Sequence, residues 1–316
     1  MVLIFSALLA LCCGSTPETA NELRGLFTGG SLSEPVKTVL LYIRLPRIIG
    51  AAAAGVLLAS AGCAVQLLFR NPLSSPHVLG SVNASALGAV AVMALGGVSL
   101  WCLLLGGFAG ALAALGVLLL ITCRRSTVTL LLAGIALNAF ASAAMSGILF
   151  VAGERLEGLV FWLLGGFWRL DWLHTVVLTA VCVPVTGTLY VFRREMNMLY
   201  LGENAAAAAG VNIRVTRFFA VLAITLATAA VVSCCGVIGF VGLLIPHIAR
   251  RIFGGEFAVS LTGSALLGAC LMILSDLAGR TIMPPLEIPV GVLTALIGAP
   301  FFLMLILSKL RKGDVI

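Results

Sequence analysis

Residues 99–122 read SLWCLLLGGFAGALAALGVLLLIT, a run without a single charged side chain. As an α-helix, at 1.5 Å per residue, such a run spans about 36 Å, enough to cross the ~30 Å hydrocarbon layer of a bilayer. In lipid a helix also satisfies its own backbone hydrogen bonds, which an isolated strand or loop cannot do. Working outward, comparable apolar stretches recur at roughly 47–69, 82–97, 127–151, 173–192, 218–237, 258–279 and 288–308. The segment GVIGFVGLLIPHIARRIFG (236–254) is Gly-rich and interrupted by Pro246, so it reads as a short or broken helix. Residues 1–13, MVLIFSALLALCC, are apolar but short for an unaided crossing, and they lack the basic start and small-residue cleavage site of a signal peptide. They read as a first membrane helix. The expectation is an all-α polytopic membrane protein with about ten transmembrane helices, folded as one domain over residues 1–316.

Composition agrees. Hydrophobic residues make up 61% of the 316 and charged residues 10%, against about a quarter in soluble domains. That excludes a soluble enzyme and a disordered chain. The net charge of +7 does not point to nucleic acid, because membrane proteins collect Lys and Arg in cytoplasmic loops. One set of loops carries Arg70, Arg124, Arg125, Arg193, Arg194, Arg214, Arg217, Arg250, Arg251, Lys309, Arg311 and Lys312. The other carries fewer basic residues and most of the acids, so the first set is assigned to the cytoplasm, with both termini on that side. Residues 14–46, with Pro17, Pro35 and Pro46, read as an extramembrane connection. The stretch LVFWLLGGFW (159–168) reads as a helix lying at the interface, with Trp162, Trp168 and Trp172 as an aromatic belt. Small residues at four-residue spacing, Gly55-Ala59-Cys63 and Gly106-Gly110, mark places where helices approach closely.

The polar residues narrow the chemistry. Nine cysteines show no CxxC spacing, and His77, His174 and His247 are far apart, so neither a metal site nor a cofactor is expected. Within the long apolar segments Asp276 is the one acid, and Arg280 stands four residues later, where an intrahelical ion pair can form. An ion-coupled carrier is therefore the weaker alternative, since such carriers place carboxylates deep in the bilayer. HExxH, GxSxG and P-loop motifs are all missing from the sequence, so the chain cannot bind ATP by the P-loop route and either takes its energy from elsewhere or is a passive channel.

Two polar islands remain. In RREMNMLYLGENAAAAAGVNIRVTR (193–217), Glu203 suits a helix start, Ala205 to Ala209 favour helix, and Gly210 suits its end. A helix of about seven residues is only about 10 Å long, so it forms a cytoplasmic knob, not a crossing. The second island is Arg44 and Arg47 in IRLPR, with Arg280 on another outer edge, where an acidic partner or lipid phosphate would be met.

An ordered series of motifs carries a resemblance over nearly the whole chain. It runs IRLPR (43–47), GCAVQ (62–66), RNPLSSPHVLG (70–80), TLLLAGIALN (129–138), FWLLGGFWRLDW (161–172), MNMLYLGENAAAAAGVN (196–212), GVIGFVGLLIPHIARR (236–251) and EIPVGVLTALIGAPFF (287–302). In this order and spacing the chain resembles the permease subunits of ABC importers for ferric siderophores, vitamin B12 and haem. The resemblance implies a type II ABC importer permease fold in a bacterial cytoplasmic (inner) membrane, paired with a second permease copy. It implies two ATPase subunits docked on coupling residues Leu201, Gly202, Glu203, Asn204, Ala205 and Gly210. It further implies an extracytoplasmic substrate-binding protein docked on Arg44, Arg47 and Arg280, and a cytoplasmic gate at Ser126 and Thr127. Ferric siderophore is the first-ranked cargo, then corrinoid, then haem.

Overall fold

The structure, a computed structural model, describes residues 1–13, 33–122 and 127–311. Among these residues the regular structure is helical throughout. The helices are α1 (Val2–Cys12), α2 (Glu34–Leu68), α3 (Ser81–Ala94), α4 (Leu100–Thr122), α5 (Thr127–Val151), α6 (Leu156–Leu163) and α7 (Trp172–Val191). They continue as α8 (Arg193–Leu201), α9 (Glu203–Ala208), α10 (Ile213–Cys235), α11 (Val241–Phe253), α12 (Phe257–Thr281) and α13 (Val290–Arg311). The ten expected segments correspond to α1–α5, α7 and α10–α13. Six of them (α2, α4, α5, α7, α10 and α12) are long and apolar enough to cross a membrane by length and composition.

One boundary differs from expectation by a wide margin. The helix expected from about residue 47 begins at Glu34, so residues 34–46 of the supposed connection are helical, and 14–32 lie outside the described residues. Pro35 sits in the first turn, where its missing N–H is harmless. Pro46 would ordinarily break the helix, but the preceding turns, Val39–Arg44, widen into a π-helix that carries the chain past its ring. Side chains from the start of α7 serve carbonyls there: Trp172 Nε1 donates to the Leu41 oxygen (3.1 Å) and Thr175 Oγ1 to the Pro46 oxygen (2.7 Å).

In the most apolar stretch of each helix, 83% of positions are buried in α2 and 78% in α10, against 22% in α5 and 28% in α7. So α2 and α10 form the core, and α5 and α7 line the outside. Close packing follows from the small residues. A methyl placed on Gly55 would collide with the Gly268 backbone of α12, and one on Gly62 with the Gly242 backbone of α11. Gly106 and Gly110 meet the backbone of Gly88 and Ala84 on α3 in the same way. The aromatic belt is narrower than expected. Trp162 is a core residue, Trp168 packs on Phe161 (centroids 4.5 Å apart), and Trp172 alone of the three is exposed.

The polar chemistry collects at two ends of the bundle. At one end Arg44, Arg47, Asp276, Arg280, Glu287 and the C-terminus of α1 converge. At the other lie α8, α9 and the beginnings of α10 and α12, tied by Asn197 Oδ1, which accepts from the Phe257 N–H at 2.9 Å.

Candidate functional site

At the arginine end, α2 and α12 pack so closely through Gly55 and Gly268 that their charged termini share one space. Arg47 Nε donates to Asp276 Oδ1 at 2.7 Å, and Nη1 and Nη2 donate to the two oxygens of Glu287 at 3.1 and 2.8 Å. The fork geometry is the strong, bidentate form of an arginine–carboxylate contact. Arg280 Nε stands 3.4 Å from Asp276 Oδ2, the intrahelical pair expected from the sequence, and its Nη2 donates to the Ala10 carbonyl. Arg44 Nη1 donates to the Leu11 carbonyl at 2.6 Å. Two guanidiniums thus cap the last turn of α1, where carbonyls have no partner inside the helix.

The three arginines named for docking therefore do come together, but they are not laid open. Their relative exposures are 4% for Arg44, 9% for Arg47 and 6% for Arg280. Sequence reasoning paired Asp276 with Arg280 alone and gave Glu287 no partner. It missed that both belong to Arg47. The available signal was charge balance: buried arginines demand carboxylates, and these were the acids within reach of the same end.

Beside this cluster, Asp171 caps α7. Its Oδ1 accepts from the His174 backbone N–H (2.9 Å) and contacts the His174 ring Nδ1 at 2.7 Å. Partial burial pushes the carboxyl up, but these hydrogen bonds outweigh it, so the group is held below the usual carboxylate range.

At the other end, α8 and α9 form the knob. Gly202 joins them with φ 130° and ψ 153°, a conformation open essentially to glycine alone. The expected helix 203–210 is found as Glu203–Ala208, with Gly210 in the left-handed region (φ 79°) just past it. Glu203 suits the positive N-terminal end of α9, and Arg217 Nη2 donates to its Oε1 at 2.9 Å, which pins the knob to α10. Asn204, Ala205, Ala207 and Ala208 are exposed, as is Leu201 at 68%, while Ala206 points inward. The outer face of α9 is thus mostly methyl groups, which let another surface come within backbone distance. An open hollow of about 430 Å³ lies beside it, lined partly by Glu195, Met198, Gly210 and Asn212.

Ser126 lies outside the described residues, and of Thr127 only its position at the start of α5 is described. Among the described residues, no group of three His, Cys, Asp or Glu could hold a metal ion.

The chain is thus a bundle of apolar helices of membrane-spanning build, with its charged groups gathered at two ends and a short helical knob at one of them. Residues 2–308 match the model of the FecCD transport family, and the chain belongs to that family. It is 36% identical to the Fe(3+) dicitrate transport system permease protein FecD of Escherichia coli, over 95% of this chain and 94% of that one. It is also 36% identical to the vitamin B12 import system permease protein BtuC of Salmonella arizonae, over 98% and 93%. A solved structure assigned to the metal-chelate type of ABC transporter, in an inward-facing conformation, superposes with TM-score 0.88 at 30% identity, covering 97% of this chain and 96% of that one. PsaBC from Streptococcus pneumoniae shares the fold at TM-score 0.58 and 16% identity, covering 90% and 94%. The all-α fold is that of the type II ABC importer permeases.

Proposed function

We propose that this chain, as one domain over residues 1–316, is the membrane-spanning permease of an ATP-driven importer that brings a metal chelate across a bacterial cytoplasmic membrane. Ferric siderophore is the first-ranked cargo, with corrinoid and haem behind it. The knob carries the reading. Its glycine joint, its pinned Glu203 and its methyl-covered face suit insertion into a groove on a separate ATPase, with Leu201, Asn204 and Ala205 on the contact surface. A short rigid element of this kind passes motion from a soluble engine into the helices behind it. Two ATPase subunits and a second permease copy complete the transporter, with both termini and the knob on the cytoplasmic side. The gate is assigned to Ser126 and Thr127 by resemblance.

The arginine end is then extracytoplasmic, and it receives a substrate-binding protein through Arg44, Arg47 and Arg280. All three side chains are buried and bonded to groups of the chain itself, so docking there exchanges those bonds and does not meet an open charged rim. Affinity purification from native membranes in mild detergent, followed by mass spectrometry, tests the reading. A P-loop ATPase should co-purify, and repeated recovery of the chain alone would contradict it.

A further inference from the structure

The two carboxylates on Arg47 are not equivalent. Asp276 is sealed in the packed α2–α12 contact, with a side chain 2% exposed, whereas the Glu287 side chain is 36% exposed. Asp276 is fixed on a helix. Glu287 sits on the non-helical segment between α12 and α13, next to exposed Ile282, Met283 and Leu286. The Ile288 N–H holds this segment to α12 by donating to the Gly279 carbonyl at 2.9 Å, and α13 starts two residues later. Gly291, in the first turn of α13, donates to the Gly165 carbonyl at 3.1 Å and packs against the backbone of Leu164 and Val237. Whatever moves Glu287 therefore pulls on the entry to α13 and on two neighbouring connections.

Arg47 already spends its fork on Glu287, so a carboxylate arriving from outside finds no open guanidinium edge there. It can engage Arg47 only by replacing the exposed one of the two resident acids. We propose that Glu287 is a built-in stand-in for a partner's carboxylate and that Arg47 is a carboxylate-exchange site. An acidic side chain of the docking protein takes over the two N–H donors of Arg47. Glu287 is expelled by like-charge repulsion, and residues 282–289 are released with the beginning of α13. The exchange swaps one bidentate pair for another of the same kind, so docking stays reversible while still delivering a conformational signal. This inference rests on the reading of the arginine end as the docking face.

The test uses the whole complex, purified with its ATPase and with the substrate-binding protein that is recovered with it. Two quantities are followed: the docking affinity at low salt and hydrogen exchange at the Ile288 amide. Docking should speed that exchange by on the order of tenfold, as expected for local release of one restrained segment. Glu287→Gln should give the same fast exchange without the binding protein and should tighten docking a few-fold, because an internal competitor has been removed. Arg47→Lys keeps the charge but loses the fork, and it should weaken docking. Unchanged docking in Arg47→Lys would overturn the docking reading itself. Weakened docking in Arg47→Lys, together with an Ile288 amide that stays protected when the wild-type complex docks, would uphold docking and overturn the exchange.

Discussion

Asp276 holds the charge of Arg47 and Arg280 in a space almost closed to water, and that makes it the most sensitive residue at the arginine end. Removing one partner of a buried pair leaves the other charge without compensation, a loss of about 3–5 kcal/mol. Asp276→Asn is therefore expected to lower the thermal unfolding midpoint of the detergent-solubilised protein markedly. Glu287→Gln, at a half-exposed position, should lower it much less; equal shifts in the two variants would show that burial does not set the energetics here. Asp171 makes a smaller contribution with a defined pH dependence. Its carboxyl is depressed in the folded chain, so its stabilising effect is present above the unfolded-state value and is lost as pH falls through the folded value. Asp171→Ala should remove about 1 kcal/mol at neutral pH, as loss of an N-cap does, and the gap from wild type should close on acidification. A gap that stays constant down to the acid limit would contradict the cap.

Among the elements, α2 is the most deeply buried of the six long helices, and glycine is what lets it be. Gly62→Leu must displace the backbone of α11 at Gly242, whereas Gly147→Ala on α5 has nothing within 4 Å to meet. Overpacking a tight contact costs about 1–3 kcal/mol or more, so Gly62→Leu should cut the yield of folded protein while Gly147→Ala leaves it unchanged. Comparable yields would mean that the α2–α11 contact is not close-packed. Gly202 is the matching control at the knob. Gly202→Ala, placed at φ 130°, costs of order 1–3 kcal/mol locally and should lower transport-coupled ATPase activity in a chain that still folds. Full coupling in that variant would remove the joint from the account.

Across the whole molecule, the ten membrane segments, the knob and the close-packed small residues were legible in the sequence because each is a local pattern. Apolar length marks a crossing, a run of alanines after Glu203 marks a helix, and four-residue spacing marks a face. The features that escaped are non-local or compensated. Pro46 signals a helix end, and nothing in the sequence announces the π-turn at Val39–Arg44 that absorbs it. Arg47 and its acids are 229 and 240 residues apart, so their pairing appears only once α2 and α12 are packed. That packing turned three arginines expected to stand open into a buried cluster bonded to the chain's own carboxylates and carbonyls.

The central claim is that ATP hydrolysis on a partner, not an ion gradient, moves a metal chelate through this chain. Uptake into proteoliposomes reconstituted with the co-purified complex and its binding protein tests it most directly, with ferric siderophore, ferric citrate, cobalamin and haem offered in turn. The account predicts uptake of one of these that requires ATP on the ATPase side, stops with vanadate and is indifferent to collapse of proton and sodium gradients. Uptake that proceeds without ATP, ignores vanadate and ends when the gradients collapse would contradict it.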